Sequence, residues 1–317
     1  MDGYRAVQRS LVVLGLAVWI APGCAFLRAP QRPTLPPVLP ATPSLEQVVQ
    51  VVNSNSGQIH SFSTDQAVLS VEGMPSLRTS VAFERPRRLR LRAGLGFGGT
   101  ELDVGSNDEL FWMWIKRQPP LYYCRHDQFA TSPARRMLPI EPGWLIEAMG
   151  ITELDPASLD RNLRVLPGGR LEIATTRQTV DGPARKLTMV DGSTGAVLEQ
   201  SVFDTRGLLV ARATASRHRR DPLTGRIMPR VVEIECPRAQ FSIRLDLGNV
   251  AINRPLENPG ELWAMPALAD CPMVDLGNPN FQLPPIAPPP PAAPATARPT
   301  FSRLPSPLRR GWNRIRF

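Results

Sequence analysis

The stretch Arg87–Leu102, RRLRLRAGLGFGGTEL, decides how this chain is read. Leu89, Leu91 and Ala93 alternate with Arg88, Arg90 and Arg92, the period of two expected of a strand with one buried face. Gly94, Gly96, Gly98 and Gly99 then free the backbone for a tip. Thr100–Val104 resumes the alternation, with Leu102 and Val104 set against Glu101 and Asp103. A glycine turn ordinarily gives its remaining positions to Asn, Asp or Ser. This one carries Leu95 and Phe97, and large apolar side chains on a tip either fold back on a core or meet an apolar surface outside. The spacing Gly94-x-Gly96-x-x-Gly99 also satisfies the dinucleotide-binding fingerprint, in which a helix begins at the last glycine and offers its amides to pyrophosphate. Here a strand follows instead, which argues against a nucleotide site.

Outward from this hairpin the chain reads as short strands separated by turns. Before and beside it stand Ile59–Glu72, Ser76–Glu84, Glu109–Ile115 and Leu121–Cys124. After it come Arg170–Thr176, Arg185–Val190, Ala196–Phe203, Leu208–Ser216, Ile227–Cys236 and Gln240–Val250. Asp181-Gly182, Asp191-Gly192, Arg206-Gly207 and Asp221–Gly225 supply hairpin turns. About eleven or twelve sequential strands of this kind predict an antiparallel meander that closes or curls to hide its edges. Leu77, Val81, Phe83, Leu89, Leu91, Leu102, Val104, Val232, Ile234, Phe241, Ile243 and Leu245 share one face, and charged residues share the other. Leu110–Ile115 (LFWMWI), which contains Trp112, is apolar on both faces, so something covers its outer side as well. Packing volume decides whether the interior is filled or open, and alternation does not report volume. Helix signals are few. Ser44-Leu-Glu-Gln47 is a capping box opening a helix with Leu45, Val48, Val49 and Val52 on one stripe, stopped by Asn53–Gly57. Pro142 opens a second helix carrying Trp144, Leu145, Ile146 and Met149 and ending at Gly150.

The ends differ from this body. Arg5 and Arg9 precede an apolar run, Leu11–Ala21, too short for the roughly 20 residues of a spanning helix and suited to an export signal. It ends in Pro22-Gly23-Cys24, which resembles a bacterial lipoprotein lipobox and implies lipid attachment at Cys24; plain secretion with cleavage near Ala25 is the other reading. Arg28–Pro43 holds six prolines and favours an extended spacer of roughly 3.1 Å per residue. Beyond Leu283 the chain is Pro-rich and basic, with six arginines and no acidic residue after Asp275. The formal charge of +9 therefore sits mostly in this tail, leaving about +2 on the body. A nucleic-acid-binding fold gains no support. The final Arg309–Phe317 interleaves arginines with apolar residues, which suits either an anionic membrane surface or plain solvent.

Catalytic chemistry is missing from the sequence. His60, His126 and His218 have no partner spacing, no zinc pattern joins Cys124, Cys236 and Cys271, and no Gly-x-Ser-x-Gly elbow occurs. The reading is a protein that is not an enzyme and needs no metal or cofactor. Cys124 and Cys236 both stand at predicted strand ends and form the preferred disulfide pair, with one thiol left over.

The run from Ser76 to Ile151 resembles the LolA/LolB-like lipoprotein localisation family, most nearly its outer-membrane receptor branch. The features are an alternating strand, a loop with an exposed apolar residue, Thr100-Glu101-Leu102, and a Trp-bearing helix ending near Gly150. Gly207–Val210, Pro229 and Asn253 extend the likeness to about two-thirds of the chain. The resemblance implies a mainly β fold: a single antiparallel, incompletely closed β-barrel of about eleven strands with two or three short helices capping a hydrophobic cavity for acyl chains. Cavity walls are then expected from Val81, Phe83, Leu89, Leu91, Leu102, Trp112, Trp144, Ile234 and Ile243. The family's membrane-contact residue falls on Phe97, or on Leu95 with a two-residue shift. The expected organisation is a signal peptide (1–23), anchor and spacer (24–43), barrel (44–282) and tail (283–317). The expected function is a monomeric, outer-membrane-anchored envelope lipoprotein that faces the periplasm and binds acyl chains or lipoproteins. The alternative is a structural or interaction lipoprotein with a filled barrel acting through its basic tail.

Overall fold

The computed structural model describes residues 35–96, 99–118, 120–132, 135, 142–179 and 182–281. Cys24, Phe97 and the tail 283–317 lie outside the described residues. The N-terminal half holds α1 (Leu45–Gly57), β1 (Ser61–Val71), β2 (Leu77–Glu84), β3 (Arg88–Gly94), β4 (Thr100–Ser106), β5 (Leu110–Ile115), β6 (Leu121–Arg125), α2 (His126–Phe129) and α3 (Pro142–Ala148). The C-terminal half holds β7 (Arg164–Leu166), β8 (Arg170–Thr179), β9 (Gly182–Asp191), β10 (Val197–Phe203), β11 (Leu209–Ser216), β12 (Arg219–Arg220), β13 (Ile227–Met228), β14 (Val231–Cys236), β15 (Phe241–Asp246), β16 (Ala251–Ile252), α4 (Pro259–Leu262) and β17 (Met273–Asp275).

The strands form one 15-stranded sheet in the order β17-β6-β5-β4-β3-β2-β1-β15-β14-β11-β10-β9-β8-β7, with β16 also on β1, and a separate β12-β13 pair. The expected count of about eleven strands is thus exceeded. The short strands β7, β12, β16 and β17 carry too few residues for an alternation to be read. Pro229 divides the expected strand Ile227–Cys236 into β13 and β14. The chain is also not one continuous meander. Two meanders, β1–β6 and β7–β15, meet where β1 pairs antiparallel with β15. Among the described residues no hydrogen-bonded ladder closes the sheet, and β7 and β17 stand at its opposite edges.

Register puts the expected apolar set on one inner face. Phe83 lies opposite Leu89, Val81 opposite Leu91, Leu91 opposite Val104, Ile234 opposite Ile243 and Leu69 opposite Leu245. Helix α3 lies on this face and meets it on two sides. Ile146 and Met149 enter a cluster with Phe62, Leu69, Val81, Phe83, Leu89 and Leu91. Trp144 and Ala148 enter a second with Ala211, Ala213, Val232 and Ile234, and Ile243 packs against both. Gly150 ends the segment at φ +98°, and a Cβ there would stand 2.7 Å from Cδ of Pro229, so both conformation and space demand glycine.

The capping box at Ser44 and Gln47 is formed, and α1 buries Val48, Val49 and Val52 over Leu171, Ile173, Val190 and Val197. The helix continues through the expected breaker run because its asparagines are used elsewhere. Asn53 exchanges two hydrogen bonds with the backbone of Leu154 (2.9 and 2.8 Å), and Asn55 does the same with Ile227 (both 2.8 Å). Leu39 is buried in this same cluster, and the amides of Val38 and Leu39 donate to the Ser193 carbonyl. The last part of the Pro-rich segment is therefore held on the domain.

The outer cover expected over β5 is supplied by the chain after Asn253. Arg90, only 3% exposed, donates to Asp103 (2.6 Å) and to the carbonyls of Leu262 (3.3 Å) and Ala264 (2.5 Å), while Asn107 holds the carbonyl of Trp263 (3.2 Å). Cys124 and Cys236 are both free thiols, in separate clusters beside Phe111 and beside Trp144, with β6 and β14 far apart in the sheet order. The expected disulfide is not formed. Strand-end position says nothing about which ends are neighbours.

Candidate functional site

The inner face changes character along the sheet. Across β14, β15 and β1–β3 it is apolar and occupied by α3. Across β8–β10 it is apolar under α1, at Leu171, Ile173 and Val190, and beyond these its inward positions are Thr175, Arg177, Thr188, Lys186, Gln200 and Val202, with Thr175 opposite Lys186, Thr188 opposite Gln200 and Lys186 opposite Val202. These side chains do not pack against α3 as a hydrocarbon layer does. Thr175, Arg177, Lys186 and Val202 face a cavity of about 1010 Å³ beside the helix.

Apolar parts of its wall come from Trp144, Leu154, Val202, Phe203 and Val210. Trp144 is 6% exposed, and its indole N–H has no hydrogen-bond partner among the described residues. A buried indole N–H normally finds an acceptor, since leaving one unmade costs about 1–3 kcal/mol. The polar parts are mutually engaged. Lys186 pairs with Glu147 on α3, Arg238 with Asp204 (2.6 Å), and Glu153 with Arg85 (2.6 Å) outside the cavity. The Asp204 carboxyl is held below the usual range first by the Leu208 amide, then by the Arg206 amide and the Arg238 guanidinium. Gln200, 1% exposed, ties the end of α3 by donating to the Glu147 carbonyl and to the Thr152 hydroxyl, both at 2.9 Å. Among the described residues no group of three or more His, Cys, Asp or Glu could hold a metal.

The structure redistributes the sequence-derived cavity residues. Val81, Phe83, Leu89 and Leu91 are between 0 and 5% exposed inside one packed cluster, with Leu102 and Ile243 at its margin. Ile234 packs beside Trp144. Of the nine, Trp144 lines the cavity. Trp112 faces the other way and is corrected on that point. It stands opposite Gly105, one position out of phase with Val104, so it shares a face with Arg90 and Asp103. Its indole N–H donates to Asp103 (3.1 Å) and the Arg90 guanidinium stacks on its ring at 4.9 Å. Leu95 is 45% exposed on the tip between β3 and β4.

Sequence reading missed Lys186, Gln200, Val202 and Phe203. Their strands were legible, but a lysine or glutamine facing inward looks like a phase error in an otherwise amphipathic strand. The inward Lys186 and Gln200 on adjacent strands were the available signal.

No family model matches this chain, and no curated protein matches it. Solved structures similar to it include a proposed outer membrane lipoprotein-sorting protein domain from Vibrio parahaemolyticus, at 9% identity and TM-score 0.47, covering 69% of this chain and 99% of that one. A LolA superfamily protein from Nitrosomonas europaea is similar at 10% identity and TM-score 0.44, over 71% of this chain and 99% of its own. A DUF1329 family protein from Desulfovibrio piger is similar at 16% identity and TM-score 0.44, over 68% and 96%.

Proposed function

We propose that this protein is a non-enzymatic, lipid-anchored protein of the bacterial envelope that takes acyl chains of a lipid or lipoprotein into the cavity between α3 and β8–β11. The observation that carries this reading is the cavity itself. At about 1010 Å³ it has the size of a small-molecule site, with Trp144, Val202, Phe203 and Val210 offering apolar surface and charged pairs set around them. An occupant lying there would lie against Trp144. Cys24 is the expected attachment point for the anchor, probing distance being set by the Pro-rich segment. Leu95 and Phe97 are the expected first contact with a membrane, in a protein placed at the outer membrane and facing the periplasm.

The test is lipid co-extraction. The parent chain, purified from its own membranes, should carry bound lipid by mass spectrometry. Ala184→Trp, placed on the cavity wall at a half-buried position, should lose that lipid with unfolding unchanged. A parent chain without bound lipid and without uptake of a fluorescent fatty acid would refute the proposal. The packed state of the N-terminal half, where the Phe62 and Phe83 ring centroids lie 5.5 Å apart, favours the second reading of a filled structural barrel working through its tail. Deleting residues 283–317 separates the two: loss of partner retention from a chain that never carries lipid selects the second.

A further inference from the structure

We infer that the hairpin end of the sheet, which carries the turns 72–76, 95–99, 116–120, 204–208 and 237–240, is a docking face for an anionic lipid bilayer. The register brings these turns to one end. Arg78 pairs with Gly94, Leu102 with Ile115, Val71 with Ile243, Cys236 with Phe241 and Phe203 with Leu209. Strand β17 runs parallel to β6 and places Met273 beside Leu121 at the same end.

Single exposed apolar residues are ordinary on any protein surface, so their distribution is what matters. Nine large apolar side chains are exposed among the described residues, and five of them stand at this end: Met74 (59%), Leu95 (45%), Leu208 (51%), Phe241 (45%) and Met273 (53%). They project from five separate segments, so no single loop conformation produces the clustering. Arg78, Lys116, Arg117, Arg206 and Arg238 lie among them, against Glu72, Glu101, Asp204 and Asp270, with Lys116 and Arg117 pairing Glu101 and Arg238 pairing Asp204. Apolar tips within a ring of net positive charge match a bilayer interface, where apolar groups enter the headgroup–acyl boundary and arginine or lysine meets anionic headgroups. A protein partner would more readily meet a flat, continuous patch than tips on turns.

The described start of the chain reaches the domain away from this end. The chain joins the domain where Val38 and Leu39 bond Ser193, in the turn between β9 and β10, and that turn is at the far end of the sheet. Thr179, Asp204, Thr205 and Arg238 bring the wall of the cavity to the docking end. This inference rests on the cavity reading only for its purpose, since docking would set the cavity against the bilayer from which an acyl chain is drawn.

The test uses the full chain with Cys24→Ser, so that an anchor does not hold it, and sedimentation with vesicles of equal parts phosphatidylglycerol and phosphatidylcholine. The triple variant Met74→Glu/Leu208→Glu/Phe241→Glu should partition at least tenfold less than its parent. Val165→Glu/Leu223→Glu, at still more exposed positions of the other end, should stay within twofold. All five positions are exposed, and unchanged thermal unfolding of both variants checks that they fold. Equal partition of the triple variant and its parent overturns the docking face, as does an equal loss from the control variant. Bound lipid measured on the same proteins keeps the two proposals apart. Lipid retained with unaltered partition refutes docking alone, whereas a tenfold loss of partition in a chain that never carries lipid refutes the cavity reading alone.

Discussion

Replacing Asp103 with Leu should destabilise the domain by about 4 kcal/mol, and the figure follows from what the carboxylate holds. Asp103 and Arg90 are buried together, at 6% and 3% side-chain exposure and 2.6 Å apart. Burial pushes the Arg90 guanidinium below its ordinary range, and the hydrogen bond it donates to Asp103 opposes that shift. Without Asp103 the guanidinium keeps two backbone carbonyls but no counter-charge, and the Trp112 indole loses its acceptor. Breaking a buried ion pair from one side costs about 3–5 kcal/mol, and an orphaned neutral donor about 1–3 kcal/mol. The two losses share one site, so they overlap rather than add. Asp103→Asn keeps an acceptor for Trp112 and should lose about 3 kcal/mol. The double variant Arg90→Met/Asp103→Leu removes both charges and should return to within about 2 kcal/mol of the parent. Its remaining deficit reflects the freed carbonyls of Leu262 and Ala264, which should also make the cover after Asn253 more open to protease. Urea unfolding followed by tryptophan fluorescence measures all three. A loss below about 1 kcal/mol for Asp103→Leu, or a double variant no better than the single, would refute the account of this cluster.

Gly105→Ala should cost more than its surface-turn appearance in sequence implies, about 1–3 kcal/mol, because the new Cβ would meet Trp112 Cζ2 at 2.1 Å; thermal unfolding reads this directly. Ser44→Ala removes the side-chain acceptor at the start of α1 and should cost about 1 kcal/mol in the same assay. His218 is half-buried, its Nε2 is 2.8 Å from the Val197 carbonyl, and desolvation holds its pKa below the ordinary 6.5. As pH falls below about 6.5 the unfolded chain takes up this proton first, so stability is full above that pH and declines below it. His218→Gln should flatten this acid decline in urea midpoints recorded from pH 7 to pH 4, and an unaltered slope would exclude His218 as its source.

Much of the fold was legible because its determinants are local. The alternation at Leu89–Ala93 and Leu102–Val104 assigned strands and their shared face, and register confirmed that face. Ser44 with Gln47 marked the start of α1, and Pro142 that of α3. The candidate site was less legible. Of its apolar residues Trp144 was found, but the inner face that most of the expected set lines is filled by Ile146 and Met149, and the open volume lies next door over Lys186 and Val202. Trp112 was placed on the wrong side because LFWMWI is apolar in both phases, and only pairing with Gly105 selects the phase.

The sequence by itself determined the longer strands and the starts of α1 and α3, which positions of the alternating strands are apolar, and that the three histidines and three cysteines of the body carry no catalytic or zinc spacing. These are properties of neighbours along a chain, set by a backbone period of two or by a cap three residues away. Only the tertiary structure decided that β1 meets β15, that the chain after Asn253 covers Trp112, and that α3 fills one half of the inner face and leaves a cavity over the other. Those outcomes depend on which distant segments meet and on how their volumes sum, and neither quantity is carried by any short stretch of residues.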